Sequence, residues 1–343
     1  MTLPVDSLGM WEATAGLPEQ MAAALDAASR LDGLETIGPI TNVVVCGMGG
    51  SGIAGDVLVA LAGPELAVPV TVVKSYDLPA FVGPDSLVFA VSCSGDTEET
   101  VATATAARAA GAQLVTVAGG GELARLAETD DRPLVPVPAD IPQPRAALGA
   151  MTVPLLVVLE RLGLLDGTTR RIAAAADALA RRRDRVVGPN SPAQDVARRI
   201  GRTIPLVYGA SGPAAVAAQR WKTQVNENAK SPAFWSAVPE LCHNEVAGWG
   251  QGGDVTRQVL TLVLLRHPGE PPHVARRFAL VTDVLLEVVA DVVEVRGEGN
   301  DPIAHLFDLV LFGDVVSLHL AAQEGTDPGP VPVLTEIKER VRT

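Results

Sequence analysis

The sequence predicts an α/β protein made of two doubly wound parallel sheets, each with helices on both faces. Three observations carry this. Short Val-rich runs alternate with stretches of helical length, the mark of parallel strands buried on both sides. Each half opens with such a run feeding a glycine-rich turn, Val45–Gly52 in the first and Val207–Gly212 in the second. Between the halves lies Arg170–Arg185, an Ala- and Arg-rich stretch with helical character and no strand pattern.

In the first half, strands are expected near Asn42–Cys46, Val68–Val73, Leu87–Val91, Gln113–Val117 and Leu134–Val137. Helices fit between them at Ile53–Leu61, Thr97–Ala110 and Gly121–Ala127, followed by a helix over Ala146–Leu162. The segment Gly188–Pro192 ends the connecting helix with helix-stopping and N-capping residues. The second half repeats the plan with strands at Ile204–Tyr208, Leu260–Arg266 and Val292–Arg296, and helices at Pro213–Asn228, Val274–Val289 and Asp301–Ala322. Along the helix Val274–Val289 and just past it, the fourfold spacing of Asp283, Glu287 and Asp291 predicts a solvated face, with Leu280, Val284 and Val288 on another. A Pro-rich strap, Thr326–Pro332, leads to a last short helix over Val333–Arg342. The expected organisation is an N-terminal helical segment 1–39, a first sheet domain 40–160, a helical connector 161–189 and a second sheet domain 190–343.

The composition excludes several functions. With 343 residues, 48% of them hydrophobic, the chain has ample material for two cores. A net charge of -13 and no Lys/Arg stripe argue against nucleic acid and anionic membrane surfaces as partners. The first residues lack a basic stretch before an apolar one, so a cytoplasmic location is expected. The three cysteines, Cys46, Cys93 and Cys242, are odd in number and show no C-x-x-C spacing, so neither a disulfide framework nor a zinc knuckle is expected.

In open α/β sheets, ligands sit at the carboxyl ends of the strands. Two first-half turns belong on that rim. One carries Ser51 among Gly49, Gly50 and Gly52; the other, Ser92–Thr97, supplies Ser92, Ser94 and Thr97 around Gly95 at a helix start. Four hydroxyls, opened backbone N–H groups and a helix N-terminus suit a small dianion, and a terminal phosphate is its natural form. Helix capping alone needs one hydroxyl per turn, and the second turn has three. Gly47, Gly49 and Gly52 also match a dinucleotide fingerprint, but the second strand ends in Val73-Lys74-Ser75 without a well-placed ribose-binding acid. In the second half, the corresponding turn after Leu260–Arg266 reads His267-Pro268-Gly269-Glu270 and keeps no such cradle.

Together, GMGGSGIAGD, SCSGDTEET, PRAALG, RWKTQVNENAK, ELCHNEVAGW and HLFDLVLFGDVVSLHLA resemble the bifunctional phosphoglucose/phosphomannose isomerases, built from two sugar isomerase (SIS) domains of flavodoxin-like fold. The resemblance runs in order from about residue 40 to the C-terminus. It departs at Cys93, Asp96 and Cys242, where members commonly have Tyr, Asn and Asn. It implies interconversion of glucose 6-phosphate and mannose 6-phosphate with fructose 6-phosphate through an enediolate, with no metal and no cofactor, in a homodimer whose sites draw on both subunits. Other readings are a catalytically silent sugar-phosphate sensor or an isomerase of another phosphorylated sugar.

Aldose–ketose isomerisation requires the C2 proton to be removed and a proton returned to C1, and one carboxylate on the correct face can do both. The resemblance makes Glu227, at the end of the helix Pro213–Asn228, that base, with Asn226 and Asn228 flanking it. Ring opening wants a group that exchanges a proton with the ring oxygen, and the resemblance points to His243, supplied by the neighbouring subunit. Lys338 matches the C-terminal lysine that contacts the sugar; only four of the 27 basic residues are lysines. Arg145 in PRAALG brings a fixed charge able to stabilise enediolate oxygens. The substrate phosphate falls to Ser51, Ser92, Ser94 and Thr97, with Gly50 and Gly52 opening the backbone.

Overall fold

The computed structural model describes residues 5–341. Val-rich segments form two separate parallel sheets. The first takes β1 (Asn42–Cys46), β2 (Val70–Val73), β3 (Ser86–Ser92), β4 (Gln113–Ala118) and β5 (Leu134–Pro136) in the order β2-β1-β3-β4-β5. Every residue of β3 and β4 is buried, as expected for central strands covered on both faces. Val44, Cys46, Val88, Ala90, Leu114 and Leu123 pack together on one face of this sheet. At β1 the chain pairs with both β2 and β3, so the connections leaving β1 and β3 depart on opposite sides of a switch point.

The helices of this unit are α2 (Leu17–Ser29), α3 (Gly49–Ala62), α4 (Glu98–Ala109), α5 (Gly121–Thr129) and α6 (Leu148–Arg161), with most of α7 (Thr168–Val186). The apolar α6 is buried along nearly its whole length and carries Pro154 inside the helix. Gln20 of α2 ties to its start, donating to Ala146 O at 2.8 Å and accepting from Ala150 N at 3.0 Å. Helix α3 begins four residues before the expected Ile53, which places Ser51 in its first turn instead of in a loop. The compact unit runs Gly16–Ala180 plus Asp301–Ala304, so it takes in residues beyond the sheet itself.

The second unit comprises the described chain to Ala15, including α1 (Met10–Ala15), then Arg181–Asn300 and the chain from His305. Its sheet has the order β7-β6-β8-β9, with β6 (Ile204–Ala210), β7 (Phe234–Val238), β8 (Leu260–Arg266) and β9 (Asp291–Arg296). This repeats the first four positions of the other sheet. Around it lie α8 (Pro192–Ile200), α9 (Pro213–Asn228), α10 (Gly253–Val259), α11 (Pro272–Leu285), α12 (Pro302–Gln323) and α13 (Pro332–Val341). Arg342, the expected end of the last helix, lies outside the described residues. Helix α12 is long and apolar enough to cross a membrane but is 94% buried. Its acids are neutralised inside the unit, Asp308 by Arg182 and Asp314 by Arg220.

Three elements were not foreseen: α8, β7 and α10. One helix face is also corrected. In α11 the residues turned inward are Val274, Phe278, Val281 and Leu285, while Leu280 and Val284 are 58% and 50% exposed. The acidic stripe marked a solvated face but did not mark its far side as the core, because the aromatic at Phe278 sets the inward direction.

Candidate active site

The first unit gathers its hydroxyls at the carboxyl ends of β1 and β3. Ser92 closes β3 and is fully buried; its Oγ lies 2.8 Å from Thr97 Oγ1, 3.5 Å from Ser94 Oγ, and accepts from Gly95 N at 3.0 Å. Ser94 is exposed and Thr97 half-buried, so these two present the cluster outward. Thr97 precedes α4 but its side chain makes no cap, since its hydroxyl turns to Ser92 instead; no side chain caps α3 from Met48 either. Two helix N-termini therefore open at this rim without a cap from their N-cap side chains; α3 has no acid in its first turn, whereas α4 carries Glu98 and Glu99 there. The turn requires Gly95: its φ is +78°, and a Cβ there would stand 1.7 Å from Gly120 O.

Ser51 links the two turns. It is 5% exposed, accepts from Cys93 N at 3.2 Å and lies 3.2 Å from Met151 Sδ. The Arg145 segment lies alongside, because a Cβ at Gly50 would sit 3.1 Å from Pro144 O and 3.2 Å from Arg145 N. Arg145 itself, in a short 3-10 turn over Pro144–Ala146, is only 3% exposed and donates to Gln143 Oε1 at 3.2 Å. Ser51, Gly50, Ser92, Ser94, Thr97 and Arg145 are thus brought together within one unit, with Gly52 in the first turn of α3. Sequence reasoning missed Gln143 and the backbone N–H of Cys93; the second leaves no trace in residue identity.

Asp96 carries a negative charge into this turn, and the structure gives that charge a partner. Its Oδ1 accepts from Glu122 N at 2.8 Å, so the carboxylate caps α5, whose own N-cap residue is Gly120. Cys46 at the end of β1 is fully buried, and that burial pushes its thiol up to about 11.

In the second unit, Glu227 is the penultimate residue of α9, half-buried, with its backbone carbonyl accepting from Lys230 Nζ at 2.6 Å. Asn226 donates to Ser231 O at 2.8 Å, so its side chain holds the chain leaving the helix. Asn228 is buried and donates to Ser317 Oγ at 2.9 Å. His243 ends a 3-10 turn, Glu240–His243, and is exposed. Its segment is anchored next door: the buried Tyr208 hydroxyl donates to Glu245 Oε1, an anchor that sequence reading did not predict. Burial first, then the Glu245 carboxylate, raises the Tyr208 phenol well above its ordinary value, so it stays a donor. Lys338 lies on α13, a helix with no buried residue. Among the described residues no group of three or more His, Cys, Asp or Glu is placed to hold a metal ion.

Residues 189–341 match the family model for the bacterial phospho-glucose isomerase C-terminal SIS domain. The bifunctional phosphoglucose/phosphomannose isomerase of Caldicellulosiruptor bescii is 34% identical over 97% of this chain and 98% of its own. That of Aquifex aeolicus is 34% identical over 89% of this chain and 91% of its own. Among solved structures, the C-terminal domain of glucosamine-fructose-6-phosphate aminotransferase from Francisella tularensis superposes with a TM-score of 0.73 at 14% identity, covering 94% of this chain and 98% of that one, a likeness of fold.

Proposed function

The chain belongs to the bifunctional phosphoglucose/phosphomannose isomerases and interconverts glucose 6-phosphate and mannose 6-phosphate with fructose 6-phosphate, and from this premise we propose how its own residues divide the work. The substrate phosphate binds at the hydroxyl rim of the first unit. Ser94 and Thr97 contact its oxygens, while Ser92 and Ser51 hold those two in place through the hydrogen bonds described above. Gly50 and Gly52 keep the backbone N–H groups of the α3 turn open to the same anion.

With the phosphate fixed, the sugar is presented to side chains that move protons. His243 exchanges a proton with the ring oxygen and opens the ring, and Lys338 assists as a cationic donor. Glu227 then removes the C2 proton; the C1 carbonyl takes up electron density and an enediolate results. Arg145 stabilises its oxygens; as Glu227 returns the proton to C1, the O2 hydroxyl proton passes to O1 and C2 becomes the carbonyl of the ketose. The reverse sequence starts from fructose 6-phosphate, and delivery to either face of C2 gives glucose or mannose stereochemistry. The protein acts as a homodimer, with His243 supplied by the neighbouring subunit; its exposure on its own chain supports that reading.

The observation that carries this proposal is the cluster of Ser92, Ser94 and Thr97 at the start of α4, whose N-cap residue Thr97 turns its hydroxyl to Ser92 instead of capping the helix. Steady-state kinetics in a coupled assay test it. Ser94→Ala and Thr97→Ala are expected to raise KM for glucose 6-phosphate by about 10- to 150-fold for each hydroxyl lost, since a bond to a charged oxygen is worth roughly 1.5–3 kcal/mol. Unphosphorylated glucose should not compete. Equal binding of glucose and its 6-phosphate would place the anion elsewhere.

A further inference from the structure

The face of α9 turned toward α12 is unusually polar for a buried helix contact. Arg220, Trp221, Gln224 and Asn228 follow one another at helical spacing and are all buried. Trp221 donates its indole N–H to Leu309 O at 2.8 Å, and the approach is possible only because residue 313 is Gly: a Cβ there would lie 2.0 Å from the indole nitrogen. Arg220 clamps Asp314 with Nε–Oδ1 at 3.0 Å and NH2–Oδ2 at 2.7 Å. Asn228 donates to Ser317 Oγ at 2.9 Å, and Ser317 Oγ donates to Asp314 O at 2.6 Å.

Apolar residues of similar volume would serve cohesion as well as this ladder, since a buried ion pair is weak evidence for stability. What directional bonds add is position. Three rungs fix α9 against sliding or turning on α12, and the last rung falls at the final residue of α9, where a helix otherwise frays. That residue is next to Glu227. Lys230 holds the carbonyl of Glu227 from the other side at 2.6 Å.

We propose that Ser317 is a positioning residue for Glu227, acting through Asn228 to hold the last turn of α9 in the orientation that proton transfer requires. The inference rests on the reading of Glu227 as the base. Ser317 is fully buried, and its hydroxyl serves the side chain that fixes the helix end.

A double-mutant cycle tests it, measured as kcat and KM for fructose 6-phosphate on full-length protein whose folding is verified by near-UV circular dichroism. Ser317→Ala is expected to lower kcat by about 10-fold or more with KM within about twofold, because small misplacements of a reacting group are costly. In a Glu227→Gln background the same change should have no further effect. Wild-type kcat in Ser317→Ala, or losses that multiply in the double variant, would overturn the positioning role. If Ser317→Ala does not fold, Asn228→Ala takes its place in the same cycle with the same criteria. Undiminished turnover in Glu227→Gln alone would instead refute the base assignment, so the two failures are told apart.

Discussion

Ser92 and Ser94 stand two residues apart in one turn, yet their fates differ. Ser92 ends a central strand with its side chain buried and spends its hydroxyl on Thr97 and Gly95, whereas Ser94 lies past the strand and is exposed. The sequence offered both as equal candidates, because residue type reveals a hydroxyl but not which side of the last strand residue it leaves from. Asp96 was harder still: its charge was legible, but its role as the cap of α5 depends on a helix 25 residues further along the chain, and only the fold brings the two together. A titratable residue outside the site gives a test at this scale. Burial, then the stacked ring of His305, holds the His267 imidazole below its ordinary value, with Arg266 adding to the effect. Above about pH 6.5 neither folded nor unfolded imidazole is protonated and His267 contributes no pH dependence. As pH falls below that value the unfolded chain takes up a proton that the folded chain refuses, so stability declines until the folded imidazole also titrates. Urea unfolding at pH 7.5 and 5.5 should therefore show a smaller loss on acidification for His267→Gln than for wild type; equal losses would show that His267 titrates as freely in the folded chain as in the unfolded one.

At the scale of elements, what was legible followed burial. Strands β1, β3, β4 and β8 are buried on both faces, so their Val- and Leu-rich runs announce them, and α9 was bounded by Pro213 and Asn228 as observed. Strand β7 was missed because it is an edge strand: its Phe234 is 56% exposed and Trp235 is also exposed, so neither a continuous apolar run nor a clean alternation is present. Helix α8 was hidden by its own start signal. Gly188–Pro192 carries the signals that end α7, but Ser191 Oγ accepts from Gln194 N at 3.2 Å with Pro192 in the first turn, which begins a new helix. Helix α10 is only seven residues long and follows a glycine-rich stretch that carries no helical period. The Ser317–Asn228 contact was beyond reach for another reason. Both residues lay in segments singled out in the sequence, but no periodicity tells which face of α9 meets which face of α12.

At the scale of the molecule, the chain uses one topology twice and equips the copies differently. The first sheet keeps the hydroxyl rim, while at the matching place after β8 the second has His267, with Arg266 clamped by Glu270 at 2.6 Å. The residues proposed for proton transfer, Glu227 and His243, stand on the second unit. The proposed homodimer makes a prediction of its own. Glu227→Gln and His243→Ala proteins, each strongly impaired on hexose phosphates, should regain activity when mixed under conditions of subunit exchange, because one site of the heterodimer then has both groups intact. Proven heterodimers without activity would put both residues in one subunit's site. His243→Ala should also lose more activity on closed-ring hexose phosphates than on an acyclic aldose phosphate that the enzyme accepts.

The central claim is that Glu227 carries the proton between C2 and C1, and solvent exchange reads that transfer directly. Fructose 6-phosphate incubated in deuterium oxide with wild-type protein should acquire deuterium at carbon, followed by NMR, as the enediolate exchanges with solvent. The Glu227→Gln protein should bind the sugar phosphate with little change, yet lose turnover by about 100- to 10,000-fold, the usual worth of a general base, and incorporate no measurable deuterium over the same period. Incorporation at the wild-type rate in that variant would contradict the account and assign the proton transfer to another group.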